Sequence, residues 1–379
     1  MRSAACILLA CGLLQAGPRV EAMRTPNGGI QPQTVLKDGT LHLVYYAGES
    51  DKGDLFYVRS TDYGKSFSPA LRVNSTPGSA IAVGNIRGAH LAVGRNGSVH
   101  VAWNGSSLAL PKSPAGQPPM QYARLAPGTT AFEPERNLIH DAYGVDGGGS
   151  LATDESGSVF VFWHAPKPGT KGEENRRVWM AKSADDGATF EKERIAFDSP
   201  IGACGCCGLK ASVDSTGAIH VMFRAADQVV NRDIWMLTSK DHGNTFTAAD
   251  ISAWKIGACV MSSEAFTDTQ DGQLAAWESE KQVFFGKVDP KTGGVPAPMA
   301  APGTPNNRKY PALAVNRNGA TLLAWTEGTA WKRGGTVAWR IFDKSGSVMS
   351  PENGSAPDFP VWGLVAAFAR PNGDFVVLY

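Results

Sequence analysis

After its first 22 residues the chain has no apolar run near the roughly 20 residues that a membrane-crossing helix needs, so no helical span is expected. It also lacks an excess of either charge: 36 Lys and Arg against 35 Asp and Glu leave a net +1, with no basic cluster. A nucleic-acid partner, whose phosphates call for concentrated Lys and Arg, is therefore excluded. Cysteine is scarce, six in 379 residues, and two of those (Cys6 and Cys11) lie at the extreme N-terminus. Helical periodicity is missing throughout. What is abundant is Gly (43) and Pro (24), the composition of a turn-rich β protein.

Residues 1–22 combine Arg2, an apolar run over 4–14 and small residues before Ala16 and Ala22, the pattern of a secretory signal. Cys11 after Leu8-Leu9-Ala10 offers an alternative, a lipoprotein signal with that cysteine lipidated. Either way an exported protein is expected, periplasmic, extracellular or lipid-anchored.

The rest of the chain repeats one unit. Over residues 208–246, alternating Leu209, Ala211 and Val213 meet a turn at Gly217, and Ile219, Val221 and Phe223 leave it, a β-hairpin pattern. A third strand then enters the turn SKDHGNTF at residues 239–246. The same S-x-D-x-G-x-[ST]-F pattern stands at residues 60–67 (STDYGKSF) and 183–190 (SADDGATF). The hairpin recurs with turn glycines at Gly39, Gly97, Gly157, Gly217, Gly272, Gly319 and Gly373. Each is followed at nearly fixed distance by an aromatic: Tyr45, Trp103, Trp163, Phe223, Trp277, Trp325 and Tyr379. Core packing explains such regularity best. Strand-rich repeats spaced 47 to 60 residues apart predict an all-β fold, a single β-propeller domain over residues 30–379, with about four strands per blade. The hairpin count gives six or seven blades; it favours seven sheets, the last incomplete and closed by the N-terminal segment 23–30.

The Ser-Asp-Gly turns resemble the Asp-box (BNR) repeats of sialidases and related propellers, over roughly residues 30–379. The resemblance implies a six-bladed fold in which the boxes join third and fourth strands on the face away from the active site. Asp62, Asp185 and Asp241 are then structural.

If those turns and the hairpin glycines share one face, the second-to-third and blade-to-blade loops share the other. That face should collect Arg87, Asp141, Asp146, His164, Glu173, Arg224, Arg232, Trp254, Glu264, Glu278, Arg308, Lys309, Tyr310, Trp331 and Trp362, a concentration suited to a polar ligand. Sialidase chemistry, as the resemblance implies, needs three arginines on a substrate carboxylate, an Asp acid/base, and a Tyr nucleophile activated by Glu. The candidates are Arg87, Arg224 and Arg308 for the clamp and Asp141 or Asp146 for the acid. Tyr310 is the nucleophile and Glu264 or Glu278 its base, with Trp331 for stacking on a sugar ring. Where sialidases open the first blade with an arginine, this chain has Ile30-Gln31-Pro32. Two other readings stay open: a non-catalytic propeller binding a glycan, protein or metal, and a different carbohydrate-active enzyme using Glu173 and Glu174 or Asp141 and Asp146. A carbohydrate ligand is expected under the enzymatic readings; no cofactor is called for.

Beside Cys206 and Cys207 in GACGCCG, Cys204 lies 13 residues before its hairpin glycine, as Cys259 does in the next repeat, so those two occupy equivalent places on neighbouring blades. In an exported protein these four are expected to form disulfides, with Cys259 bonded to one of the triplet. The competing reading is a soft-metal site for Cu(I) or Zn(II), with Met261 or His164 assisting, although C-x-C-C lacks the spacing of a common zinc motif.

Overall fold

The computed structural model describes residues 17–228, 230–349 and 354–379; residues 1–16 of the signal-like segment lie outside them. Among the described residues there are six four-stranded sheets and one three-stranded sheet, and helix is confined to short 3-10 turns. Blade I runs Ile30–Lys37, Thr40–Glu49, Lys52–Ser60, Leu71–Arg72, and blade II begins at His90–Val93. Blades III, IV, V and VI begin at Ser150–Thr153, Leu209–Val213, Ala265–Thr269 and Lys309–Val315, and blade VII at Ala366–Ala369. Each first strand packs against the first strand of the next blade, and the first strand of blade VII returns to that of blade I. The count is therefore seven, and the ring is closed about one axis.

The recurring aromatics mark the joints. Trp103 is buried between blades I and II, Trp163 between II and III, and Phe223 between III and IV. Trp277, Trp325, Tyr379 and Tyr45 fill the four remaining interfaces, the last between blades VII and I. One large side chain per joint is what keeps the period so regular, because truncating such a residue would leave a cavity costing about 3–5 kcal/mol.

Blade VII has only two strands of its own, Ala366–Ala369 and Phe375–Leu378, and its third is Val20–Met23, paired in parallel with Phe375–Leu378. Closure by the N-terminal segment was expected, but from residue 23 onward; the strand begins at Val20, so the propeller extends beyond the expected 30–379. An unpaired edge on the last blade would expose a row of free N–H and C=O groups, which this strand covers.

All seven hairpin glycines adopt positive φ, the region where a Cβ is disfavoured. The three Ser-Asp-Gly turns share one hydrogen-bond pattern. In residues 183–190 the Asp185 carboxylate accepts from Ser183 Oγ (2.8 Å), the Thr189 amide (2.8 Å) and Thr189 Oγ1 (2.6 Å), while Ser183 Oγ accepts from the Gly187 amide (2.8 Å). Asp62 and Asp241 repeat these contacts with Ser60 and Ser66, and with Ser239 and Thr245. The hydrogen bonds hold each of the three carboxyls down to about 2, the hydroxyl of Ser66, Thr189 or Thr245 contributing most.

Candidate functional site

The second-to-third and blade-to-blade loops converge on the opposite face, around the mouth of the axis. Two adjoining hollows lie there. A narrow cavity of about 100 Å³ is lined by inner-strand residues of five blades, among them Gln33, Lys210, Glu264, Tyr310 and Leu364. A second hollow of about 220 Å³ is lined by Asn85, Met261, Asn307, Lys309, Tyr310 and Trp331. Tyr310 belongs to both.

Tyr310 is brought there by its backbone. It sits at φ 51° at the start of the first strand of blade VI, where the register with the second strand slips between Lys309 and Ala312. Gln31, at φ 55°, does the same at the start of blade I. Its Nε2 donates to the carbonyls of Ala82 and Trp362, both at 2.8 Å, which turns Oε1 the other way, buried and without a partner.

Electrostatically the cavity is dominated by burial. Both carboxyl oxygens of Glu264 are buried with no hydrogen-bond partner, and desolvation drives its pKa well above the usual glutamate value despite the pull of Arg224. Burial also raises Tyr310, with the charges of Cys207 and Glu278 adding to it. Lys210 is lowered to about 8 by burial, and its Nζ donates to Gln33 Oε1 at 3.2 Å. Lys309, likewise lowered by desolvation, donates to the Val260 carbonyl.

Three arginines were candidates for a carboxylate clamp. Arg224 is fully buried: its Nη1 donates to the Arg232 carbonyl (2.7 Å), its Nη2 to Glu278 Oε2 (2.9 Å), and the Trp254 ring lies 5.2 Å from its guanidinium. Arg308, 4% exposed, donates to Glu327 Oε1 (2.8 Å) and the Ala301 carbonyl (2.9 Å) over the Trp325 ring. Arg87 spans Asp146, with Nε on its carbonyl and Nη2 on its Oδ1, each at 2.5 Å. Each guanidinium is thus engaged by protein acceptors, and the first blade carries Gln31 where the resemblance calls for an arginine.

The acids are distributed differently. Glu278 is buried against Arg224, and desolvation outweighs that attraction to lift it to about 7. Asp146 is paired with Arg87 and lines neither hollow, whereas Asp141 is exposed and pairs with Lys192 (2.6 Å). The two aspartates thus hold separate cations and form no pair. Glu173 holds the cysteine loop through its Oε1 on the Gly205 amide (2.7 Å) and its Oε2 on Arg232 (2.7 Å). Trp331 is 55% exposed and meets Trp362 edge to face at 4.7 Å.

Cys206 and Cys259 form a disulfide between the loops that precede blades IV and V. Cys204 and Cys207, also expected in disulfides, are instead free and buried. Cys259 takes the partly exposed Cys206, and Cys204 and Cys207 lie near each other without a bond between them. His164, suggested as an assisting ligand, has Nε2 on the Cys207 carbonyl (2.9 Å) and Nδ1 against Arg176 (3.5 Å). Lys210 was not singled out from sequence; the available signal was a lysine between apolar residues in an innermost strand.

No protein-family model matches this chain, and no curated protein does. Solved structures do. The α-L-arabinofuranosidase Arb93A from Fusarium graminearum, solved with an iminosugar inhibitor, aligns at TM-score 0.55 and 12% identity, covering 86% of this chain and 98% of that one. The same enzyme with arabinobiose gives 0.54 at 12% identity and the same coverage. The Hadza microbial sialidase Hz136 aligns at 0.50 and 15%, covering 84% and 69%. At these identities what is shared is architecture: the chain has a sialidase-like β-propeller fold.

Proposed function

We propose that this protein acts on a glycan at the axial mouth, as a glycoside hydrolase with Tyr310 and Glu264 as its reacting pair. The observation that carries this reading is that a tyrosine and an unpartnered carboxyl from different blades line one cavity, with the tyrosine also lining the hollow beside Trp331. In the sialidase manner the Tyr310 hydroxyl would attack the anomeric carbon while its proton passes to Glu264. Asp146, held by Arg87 on the same loop face, would protonate the leaving oxygen. A tyrosine suits an anionic sugar because it brings no second carboxylate against it. With the arginines engaged internally, the cations available to such a sugar are Lys210 and Lys309. Arb93A, with the same fold, is an arabinofuranosidase, so a neutral pentoside is the natural comparison substrate.

The test is hydrolysis of a fluorogenic sialoside and a fluorogenic α-L-arabinofuranoside by the purified protein. Activity on either should fall at least about 100-fold in Tyr310→Phe. Because Glu264 must be ionised to accept the proton, and its folded pKa is raised, wild-type activity should climb with pH above the ordinary glutamate range. Glu264→Gln should abolish that limb. Turnover by Tyr310→Phe at the wild-type rate would sink the assignment.

A second reading, glycan binding without hydrolysis, draws support from the internal engagement of Arg87, Arg224 and Arg308. It predicts affinity for glycan arrays with no product from either substrate. Export belongs to the same proposal: a leader cleaved after Ala16 retains the closing strand Val20–Met23, whereas cleavage after Ala22 removes most of it. N-terminal sequencing of the secreted protein distinguishes the two.

A further inference from the structure

The four cysteines beyond the leader converge at one point of the loop face, between blades IV and V. The Sγ atoms of Cys204, Cys206 and Cys207 all lie within 4.8 Å of one another, and Cys204 Sγ is 3.4 Å from Cys206 Sγ. Cys259 joins the group through its bond to Cys206. The side chains of Cys204 and Cys207 are closed off from water, 1% and 0% exposed, beside Ala226 and Val260. Buried free thiols usually behave as small apolar groups, and one would suffice to fill a gap. Here two thiols and a disulfide face each other instead.

The loop that carries them is held firmly. The Ala203 amide donates to the Glu173 carbonyl (3.2 Å), that of Cys204 to Arg224 (2.9 Å) and that of Gly208 to Ser262 (2.9 Å), while the Gly205 amide donates to the Glu173 carboxylate. The sulfurs are thus preorganised by contacts that do not involve them. In a thiolate site with metal–sulfur bonds of about 2.3 Å, neighbouring sulfurs stand about 4 Å apart. The one close separation, 3.4 Å, falls short of that value and the others stay within 4.8 Å, so the rearrangement needed is of the order of side-chain rotation. The other donors nearby are already taken: His164 has both nitrogens on other partners and the Glu173 carboxylate accepts from the Gly205 amide and Arg232, while the nearby charged groups include the cations Arg224 and Lys309. Those cations offset the negative charge that several thiolates around one ion would leave.

We propose that reduction of the Cys206–Cys259 disulfide opens a soft-metal site, in which the thiolates of Cys204, Cys206 and Cys207 bind one Cu(I). Two buried sulfurs with a partly buried third close by, beside one exposed sulfur, favour a three-coordinate cuprous ion over zinc, which requires four ligands. The reductant is a dithiol. It gives two electrons and two protons to the Cys206–Cys259 bond, becomes a disulfide and leaves two thiols. Cu(I) then displaces three thiol protons to solvent as three Cu–S bonds form. In the disulfide form only Cys204 and Cys207 remain as thiols, so the bond between the loops also acts as the lock on the site. This inference is independent of the glycan reading.

The experiment offers Cu(I), as its coloured bicinchoninate complex, to anaerobic protein freed of reductant. Protein first reduced with a dithiol should withdraw one Cu(I) per chain, and protein with the disulfide intact should withdraw none. Cys259→Ser, which changes only the exposed cysteine and frees Cys206, should take one Cu(I) with no prior reduction. Cys207→Ser should bind at least about 100-fold more weakly, more than the loss typical of an outer-shell change. Should Cys207→Ser not fold, X-ray absorption of the copper-loaded wild type replaces it, and three sulfur neighbours are expected. Unchanged chelator colour with both reduced wild type and Cys259→Ser would overturn the site. Nitrogen or oxygen as the nearest neighbours would do so too, and displacement of Cu(I) by equimolar Zn(II) would overturn the cuprous assignment.

Discussion

The two faces of this propeller solve the same backbone problem with different residues. On the turn face the left-handed conformation falls mainly to glycine: Gly39, Gly97, Gly157, Gly217, Gly319 and Gly373 all close hairpins at positive φ. Around the axial mouth it falls to Gln31, Asn85, Met261, Asn307, Tyr310 and Trp362, at φ between 49° and 64°. A large side chain in that region costs on the order of 1–3 kcal/mol, which glycine avoids. The contrast shows where a side chain has been kept at a position that would fold more easily without one. Four of those six, Asn85, Met261, Asn307 and Tyr310, line the second hollow, and the other two, Gln31 and Trp362, are joined to each other by a hydrogen bond.

Charge follows the same division. In the Ser-Asp-Gly turns of the turn face, the carboxylates are lowered in pKa and saturated with hydrogen bonds, as at Asp185. On the loop face, Glu264 and Glu278 are buried, raised in pKa and dependent on a single guanidinium, Arg224. Substitution should separate the two designs. Arg224→Ala carries the largest expected effect, because it strips the buried Glu278 of its paired guanidinium and removes a cation near the buried Glu264: a loss of about 3–5 kcal/mol in denaturant unfolding. Arg224→Lys keeps the charge but loses the fork to the Arg232 carbonyl and Glu278, and should fall between. A fully stable Arg224→Ala protein with lost glycan affinity would reverse the assignment and return Arg224 to the substrate.

Asp185→Ala should cost less, about 1 kcal/mol, since its hydrogen bonds are exposed to solvent. The sign of its pH dependence is fixed by the depressed pKa. The contribution is present above the unfolded aspartate value near 4 and lost as pH falls toward about 2. Thermal unfolding of Asp185→Ala and wild type should therefore converge over that window, with glycan binding unaffected at neutral pH. Loss of binding in a stable Asp185→Ala protein would break the separation of the faces. The smallest stability effect belongs to Trp331→Ala, within about 0.5 kcal/mol because the side chain is exposed, yet glycan affinity measured by calorimetry should drop. Unchanged affinity would move the sugar away from the Trp331 hollow.

Much of the architecture was legible locally. A hairpin glycine and the aromatic that follows it are six or so residues apart, and a Ser-Asp-Gly turn closes its hydrogen bonds within four. Both signals survive in any window of sequence. The joints between blades were legible for a related reason: one aromatic per repeat fills one interface per repeat. Tyr310 and Glu264 were reachable as residue types on the correct face, but their shared cavity was not, because it depends on five inner strands meeting at the axis. The same limit applied to the arginines. Their spacing could not show that Arg224 is claimed by Glu278, 54 residues on, or Arg87 by Asp146, 59 residues on.

By itself, then, the sequence determined a repeating β architecture and the turns that punctuate it, since period, turn chemistry and hydrophobic alternation are properties of neighbouring residues. The tertiary structure decided how the ring closes, by Val20–Met23 on the last blade. It also decided which cysteine bonds to which and which charges lie buried, because those depend on how far the closed ring excludes water and on which blades it sets side by side.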